Sequence, residues 1–305
     1  MYVHKGVGLF ELPTDYKQTF DHPFSLNVGK HEIIKMRNNQ VITDRDVKIA
    51  RFLFQFVFAT GEQLHALFGE SVLFEHFQKR LDKLVAYRVL NKFMLSEFEM
   101  EDVKPDALQV YCLDVGGRDL LSHYSHEDVT DWYTTVNMKT SELVSKHLIV
   151  TDFFIRLLQT CSKKVAFFRA EPDLRIGKKQ LIPSFEMSLL VQGMRRYFLG
   201  EVVRDFDFPF FFRDRLSKYE ALLTTNGWKK YYYDGQQPPV WFLIVETDYL
   251  ALEASRMIYE TTNIRQFRVT TAERMRRPLH ETGAFLRYVP ERDMLQEVKA
   301  VVFLP

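Results

Sequence analysis

The sequence contains few cysteines, no long apolar run and almost no net charge. Its two cysteines, Cys112 and Cys161, lie far apart in apolar segments, so we expect buried reduced thiols and not a disulfide framework. No stretch is long and apolar enough to cross a membrane, and no signal peptide opens the chain, which predicts a cytoplasmic protein. The net charge of +1 argues against a protein that coats nucleic acid indiscriminately.

Several motifs of known chemistry are also missing from the sequence. There is no P-loop, no dinucleotide-binding glycine pattern, no zinc-ligand spacing and no nucleophile elbow. The composition, with 46% hydrophobic and 27% charged residues, is that of a globular protein, and 305 residues suffice for one large or two ordinary domains. The 27 phenylalanines predict aromatic-rich cores.

Residues 43–68 have the pattern of two short helices joined by a break. The run TDRD at residues 43–46 is typical of a helix start, with Thr43 as N-cap and acids in the first turn, where the helix dipole favours negative charge. Apolar residues then recur at helical spacing. A break at residues 59–62 restarts the chain, with Thr60 as a second N-cap, and Gly69 ends the second helix.

A third helix is predicted over residues 71–87 and has two opposed faces. Its apolar stripe consists of Phe74, Phe77, Leu81, Leu84 and Val85. Residues 71–92 also carry five lysines or arginines against two acids, Glu75 and Asp82. Strands predicted at residues 89–95 and 108–113, with the acidic loop 97–106 between them, complete the pattern of a winged helix-turn-helix.

In helix-turn-helix proteins a helix that follows a short turn enters the major groove. We therefore expect Lys79, Arg80 and Lys83 to contact a DNA duplex, with His76 or Gln78 near the base edges. Lys92 in the wing is expected to bind a phosphate. The full predicted DNA-binding set is His76, Gln78, Lys79, Arg80, Lys83, Arg88 and Lys92. Two alternatives stay open: an amphipathic surface helix with ordinary solvated charges, and a winged helix that makes protein–protein contacts.

Beyond residue 140 the pattern changes to that of an α/β sheet domain. A periodic helix over residues 141–161 precedes strands at 165–170, 181–191, 196–204, 240–247 and 266–271, with helices at 213–225 and 249–262. Gly193 lies where a hairpin turn requires a positive φ. The sequence thus predicts an α+β protein with a winged helix-turn-helix domain at 41–125 and an α/β domain at 140–305. Residues 1–40 are predicted to be an arm or an irregular cover.

The order of these features resembles the replication-relaxation family of plasmid and mobile-element proteins. The resemblance covers about residues 43–245, and each matching piece is short. The pieces are TDRD at 43–46, KRLDKLVAYRVL at 79–90, YCLDVGG at 111–117, His147, Glu171, Pro183, FLGE at 198–201, and Lys218 with Tyr219. The resemblance implies a winged helix followed by a domain with the PD-(D/E)xK nuclease fold.

The nuclease motif that the resemblance implies is incomplete. Nucleases of this fold hold a divalent metal with a carboxylate after a proline, a second acid on the next strand and a lysine two residues further on. Here Ser184 follows Pro183, and Val203 stands two residues after Glu201. The predicted α/β domain is therefore degenerate and inactive. If it were active, its residues would be Glu171, Glu201 and Lys218, with Mg²⁺ or Mn²⁺; otherwise no metal or cofactor is expected. A structural ion pair between Glu201 and Lys218 is the preferred interpretation.

A second basic surface is predicted in the carboxy-terminal half. It consists of Arg265, Arg268, Arg274, Arg276 and Arg277, whose guanidinium groups match phosphate oxygens; an exposed charged loop is the alternative.

The sequence and the resemblance together predict a sequence-specific binder of double-stranded DNA from a plasmid, phage or mobile element. Its role is expected in replication, maintenance or transcription control, as a homodimer on an inverted repeat. Two alternatives are a metal-dependent nuclease or nicking accessory, and a protein-interaction module that binds replication or conjugation proteins.

Overall fold

The chain contains both helices and strands, which confirms the predicted α+β class. The structure, a computed structural model, describes residues 3–4, 7–12, 17–23, 29–96, 108–125, 127–208 and 210–304. It divides into two compact units, Tyr2–Thr151 and Asp152–Pro305. The division lies inside a helix that begins at Ser141. Among the described helices, none combines the length and the apolar character needed to cross a membrane.

The amino-terminal unit combines short helices with a small sheet. Its helices are α1 (Lys30–Asn38), α2 (Asp44–Phe56), α3 (Gly61–Phe68), α4 (Phe74–Ala86) and α5 (Val115–Tyr124). Its strands are β1 (Val3–His4), β2 (Val7–Gly8), β3 (Lys17–Phe20), β4 (Ala59–Thr60), β5 (Leu90–Ser96) and β6 (Leu108–Leu113). Strand β1 pairs with β2, and an antiparallel sheet has the order β3–β5–β6–β4.

Threonine side chains begin both α2 and α3. The Thr43 hydroxyl accepts the backbone N–H of Asp46, while the Asp46 carboxylate accepts the backbone N–H of Thr43. Thr60 and Gln63 form the same reciprocal pair at the start of α3. Each capping box satisfies N–H groups that have no partner within the helix, and a single N-cap is worth about 1 kcal/mol. Both predicted N-caps are confirmed.

The described residues among the first forty form short strands and one α-helix, where an arm or an irregular cover was expected. Strand β3 pairs with β5 at the edge of the sheet, with Lys17 opposite Ser96. Helix α1 buries Ile33 completely and packs against α5. Polar residues dominate α1, which gives it little helical periodicity in the sequence. The sequence pattern alone therefore did not indicate α1.

The carboxy-terminal unit is built on one large mixed sheet. Its strands are β7 (Val165–Ala170), β8 (Leu174–Ile176), β9 (Lys179–Leu181), β10 (Phe185–Val191), β11 (Met194–Val203), β12 (Val240–Val245), β13 (Phe267–Thr271), β14 (Phe285–Val289) and β15 (Met294–Val298). Helix α6 (Ser141–Cys161) leads into it, and α7 (Phe210–Thr224) and α8 (Asp248–Thr261) lie between its strands. The sheet order is β15–β14–β13–β12–β11–β10–β7, and β8 and β9 pair separately.

The central strands form an antiparallel part followed by parallel strands that are joined through helices. Strands β7, β10 and β11 are antiparallel, and the β10–β11 hairpin turns at Gln192 and Gly193. The φ of Gly193 is +76°, as the hairpin prediction requires. Helix α7 then connects β11 to the parallel strand β12, and α8 connects β12 to the parallel strand β13. Strands β14 and β15 were missed by the sequence prediction, because their alternation of apolar and polar residues is weak.

The two faces of this sheet bury different side chains. On one face, the apolar residues of α7 and α8 pack on strand residues such as Leu199 and Leu243. On the other face, Phe198, Phe242 and Phe285 stack in a row, with adjacent ring centroids 5.0–5.1 Å apart. The expected aromatic-rich core is thus present on the second face.

Both cysteines are free and buried, as predicted. Burial raises the pKa of the Cys161 thiol to about 11, and it raises the pKa of Cys112 well above its usual value. Neither thiol is therefore prepared for nucleophilic chemistry near neutral pH.

Candidate nucleic-acid interface

Helix α4 exposes one polar face and buries one apolar face. Phe77, Leu81 and Leu84 are fully buried, as the apolar stripe predicts. Phe74, at the first turn, is 38% exposed and is not part of the core. The helix lacks a side-chain cap at Leu73, so its beginning depends on packing and not on a local capping signal.

The exposed face of α4 carries His76, Lys79 and Lys83. Their positions three or four residues apart place them along one side of the helix. Among the residues that the structure describes, none of the three side chains forms a hydrogen bond or an ion pair. Two acids, Glu75 and Asp82, are also exposed on this helix. The face is therefore a narrow basic row within mixed charge.

Arg80, which is predicted to contact DNA, has structural partners inside the fold. Its Nε donates to Asp46 Oδ1 at 3.1 Å, its Nη2 donates to the other carboxylate oxygen, and Nη2 also donates to the Val41 carbonyl at 2.6 Å. The Asp46 side chain is fully shielded from solvent. The hydrogen bond to Asp46 raises the pKa of Arg80, and the pair ties α4 to the start of α2.

Arg88 is likewise occupied inside the fold. Its Nε lies 2.5 Å from Asp114 Oδ2, and its Nη2 lies 3.2 Å from Oδ1, so the pair is bidentate. Asp114 is fully buried and also accepts the backbone N–H of Val115 at the start of α5. A DNA contact by Arg88 would have to expose this guanidinium and would leave a buried carboxylate without its partner.

Gln78 and Lys92 also have protein partners. Gln78 donates to the hydroxyl of the buried Tyr111 on β6. Lys92 Nζ lies 3.0 Å from Asp82 and 3.5 Å from Asp21, and these acids raise its pKa in spite of the opposing effect of burial. A phosphate at Lys92 would have to displace both carboxylates. The predicted wing loop, residues 97–106, lies outside the described residues.

Two buried carboxylates of the sheet unit are each held by one tyrosine and one arginine side chain. Glu201 on β11 accepts hydrogen bonds from the Tyr219 hydroxyl and, at 2.8 Å, from Arg215, both on α7. Glu186 on β10 accepts from the Tyr232 hydroxyl at 2.6 Å and from Arg169 at 3.1 Å. Burial raises the pKa of both tyrosines, so they remain protonated donors.

The predicted ion pair between Glu201 and Lys218 does not form, so this prediction is wrong. Lys218 Nζ instead bonds to Asp214 at 3.0 Å, one turn earlier on the exposed side of α7. Glu201 does join the helix to the sheet, but through Arg215, because that residue lies on the helix face that turns toward β11.

The remaining nuclease positions have no arrangement for metal binding among the described residues. Glu171 is exposed in the turn after β7, with φ of +46°. The Ser184 hydroxyl, at the position of the missing carboxylate, accepts the backbone N–H of Val202 at 3.0 Å. In the described part of the chain, no three histidine, cysteine or acidic side chains are grouped so that they could hold a metal ion.

The predicted second basic surface is not one surface. Arg265 packs 4.2 Å over the Tyr259 ring and donates to backbone carbonyls, and Arg274 bonds to Asp248 and Glu297. Arg277 lies 3.8 Å from the same Glu297, whereas the exposed Arg276 has no such contact with a described residue. Arg268 faces a cavity on the other side of the sheet from α7 and α8. The five arginines therefore do not form a common surface, because strand alternation points Arg268 to the other side of the sheet and nearby acids bind Arg274 and Arg277.

The chain matches no family model, no curated protein and no solved structure. Sequence analysis missed the buried carboxylates Asp46 and Asp114 as partners of the basic helix region. Asp46 was visible in the sequence as an acid in the first turn of α2, but its ion pair with Arg80 was not.

Proposed function

We propose that the chain is a sequence-specific binder of double-stranded DNA and that α4 is its recognition helix. The observation that carries the proposal is the exposed row of His76, Lys79 and Lys83 on a helix that follows α3 after a short turn. The element order α2, β4, α3, α4, β5, β6, together with the antiparallel pairing of β4, β5 and β6, supports a winged helix-turn-helix. This is the arrangement that delivers a helix to the major groove.

The dimensions of α4 suit this role. From His76 to Lys83 the helix axis advances by about 10 Å, which corresponds to roughly three base pairs. Lys79 and Lys83 supply charges for phosphates at the groove edge, and His76 can donate to or accept from a base edge. The pairing of Arg80 with Asp46 fixes the orientation of the helix that presents these three side chains.

We further propose that the carboxy-terminal unit is a nuclease-like scaffold without nuclease activity. The connectivity of α6, the β7–β10–β11 meander, α7 and the parallel strand β12 supports the resemblance to the PD-(D/E)xK fold and to the replication-relaxation family. The enclosure of Glu201 by Tyr219 and Arg215 supports an inactive site, because no open carboxylate pair remains there for a metal.

The test is duplex binding by the full chain, measured with fragments of the DNA that flanks its gene and with unrelated fragments. Each fragment is titrated across a salt series, with and without magnesium. We expect tighter binding to one flanking fragment, an affinity that falls steeply as salt rises, and no cleavage.

The other outcomes separate the alternatives. Cleavage that requires magnesium would contradict the inactive scaffold and restore the nuclease hypothesis. Absence of binding at low salt would overturn the DNA-binding proposal and favour a protein-interaction module. Equal binding to all fragments would contradict sequence specificity alone.

A further inference from the structure

A cavity of about 410 Å³ lies in the carboxy-terminal unit, on the sheet face opposite to α7 and α8. Its size falls within the range of about 300–1,000 Å³ that is usual for small-molecule sites. Phe198, Val240 and Phe242 form an apolar floor at the start of the parallel strands. Phe198 and Phe242 are each only 3% exposed and pack against Phe303, so the accessible apolar surface of the cavity comes from residues such as Pro238, Val240 and Val301.

The walls of the cavity are strongly basic. Arg195, Arg196, Arg268, Arg287 and Lys299 line it. Among the described residues that line it, none is an aspartate or a glutamate. Arg196 donates to Gln237 at 2.7 Å, and Arg195 lies 3.5 Å from Asp234, which stands outside the lining.

Arg268 and Arg287 face each other across two antiparallel strands. The register that pairs Val269 with Leu286 sets Arg268 on β13 opposite Arg287 on β14. Like charges at directly opposite positions destabilise an antiparallel pair. Neither guanidinium forms an ion pair with a described residue, and the hydrogen bond found for Arg268 is to its own neighbouring carbonyl, that of Phe267, at 2.7 Å.

The surroundings of Arg268 make this repulsion more costly. The residue is half-buried, and burial together with the charge of Arg287 lowers its pKa. An anion between the two guanidinium groups would remove both penalties, because it would replace lost hydration with charge-assisted hydrogen bonds and would neutralise the repulsion.

We propose that this cavity binds a small organic anion. The carboxylate, phosphate or sulfonate group of the ligand is held between Arg268 and Arg287, and its apolar ring or chain lies against Pro238, Val240 and Val301. Arg195, Arg196 and Lys299 add positive potential at the rim. The site is independent of the proposed DNA-binding helix, which lies in the other unit.

The first test is a fluorescence titration of the full chain with 8-anilinonaphthalene-1-sulfonate, which combines an aromatic body with one anionic group. We expect saturable binding at one site. Arg268→Gln and Arg287→Gln should each raise the Kd at least about tenfold, since each removes a charged hydrogen-bond donor. Arg276→Gln, which changes an exposed arginine outside the cavity, should leave the Kd unchanged.

Competition shows whether both parts of the ligand matter. Phenyl phosphate should displace the probe, inorganic phosphate should displace it only at much higher concentration, and benzyl alcohol should not displace it. Three results would overturn the proposal: absence of probe binding, a Kd in both cavity variants equal to that of the parent chain, or displacement by benzyl alcohol as effective as that by phenyl phosphate.

A stability measurement provides a readout that does not depend on the probe. Without an organic anion and at low salt, Arg268→Gln should raise the Tm by about 1–3 °C, because it removes the repulsion from Arg287. Phenyl phosphate should raise the Tm of the parent chain and not that of the variant. A lowered Tm in the variant would mean that Arg268 serves to pack its stem on the sheet, and the proposal would be wrong.

Discussion

The arginines near α4 and the arginines of the cavity have opposite surroundings. In the amino-terminal unit, Arg80 and Arg88 each hold a carboxylate that is fully shielded from water. In the carboxy-terminal unit, Arg268 faces Arg287, and no acid lines the cavity among the described residues. Guanidinium groups that look alike in the sequence therefore have different roles: Arg80 and Arg88 pair with buried acids, whereas Arg268 and Arg287 have no acidic partner among the described residues.

This difference shows how a basic segment should be interpreted. An arginine with a buried carboxylate partner cannot leave it without a large loss of stability, so it is a poor candidate for a nucleic-acid contact. An arginine or lysine that lacks such a partner keeps its hydrogen-bonding capacity. On α4, Lys79 and Lys83 have no such partner among the described residues, whereas Arg80 is bound to Asp46.

The largest expected effect comes from breaking the most buried pair. Arg88→Met should reduce the free energy of unfolding by about 3–5 kcal/mol, because Asp114 is left charged and buried. Urea unfolding followed by circular dichroism measures the loss, with Lys83→Met on the exposed face of α4 as the control, expected to change stability by less than about 0.5 kcal/mol. Equal stability of the two variants would remove the structural role assigned to Arg88.

A second variant sharpens the comparison inside the carboxy-terminal unit. Arg215→Met should cost about 2–3 kcal/mol of unfolding free energy, because Glu201 is only 2% exposed and loses a charged donor. The same urea experiment measures it. Glu201→Gln, which removes the charge but keeps the shape, should cost less. The opposite order would mean that the negative charge of Glu201 matters more than its partner.

Arg268→Gln should act in the opposite direction. Removing a cation that faces another cation should increase the free energy of unfolding by about 0.5–1 kcal/mol. The gain should shrink as salt screens the repulsion in the parent chain. A gain that is independent of salt would assign the effect to packing instead of charge.

The smallest effect is expected at the two exposed carboxylates that Arg274 binds, and it should depend on pH. Arg274 lowers the pKa of Asp248 and of Glu297, so both carboxylates stabilise the folded state above their unfolded pKa values of about 4. This contribution is lost as the pH falls through the folded pKa values. Arg274→Ala should therefore be less stable than the parent at pH 7 and equally stable near pH 2. A difference that persists in acid would exclude this electrostatic origin.

Local features of the fold could be predicted from the sequence. The N-caps Thr43 and Thr60 and the turn at Gly193 follow from the chemistry of three or four neighbouring residues, which is visible without a fold. The apolar stripe of α4 was also visible, since helical periodicity depends on one segment alone.

The partners of the charged side chains could not be predicted in the same way. Asp46 lies 34 positions before Arg80, and Asp114 lies 26 positions after Arg88, so tertiary packing decides which charges meet. The cavity was missed for the same reason. It forms only when the alternation of β13 and β14 brings Arg268 and Arg287 to one face of the sheet.

The most direct test of the proposed function is the salt dependence of duplex binding in a double variant of α4. In Lys79→Ala with Lys83→Ala, the slope of log affinity against log salt should be smaller by about 1.8, since each phosphate contact contributes about 0.9. The control is Lys178→Ala with Lys179→Ala, which removes two exposed lysines near the β8–β9 hairpin and should keep the parent slope. An unchanged slope in the α4 variant would contradict the assignment of α4 as the DNA-contacting helix.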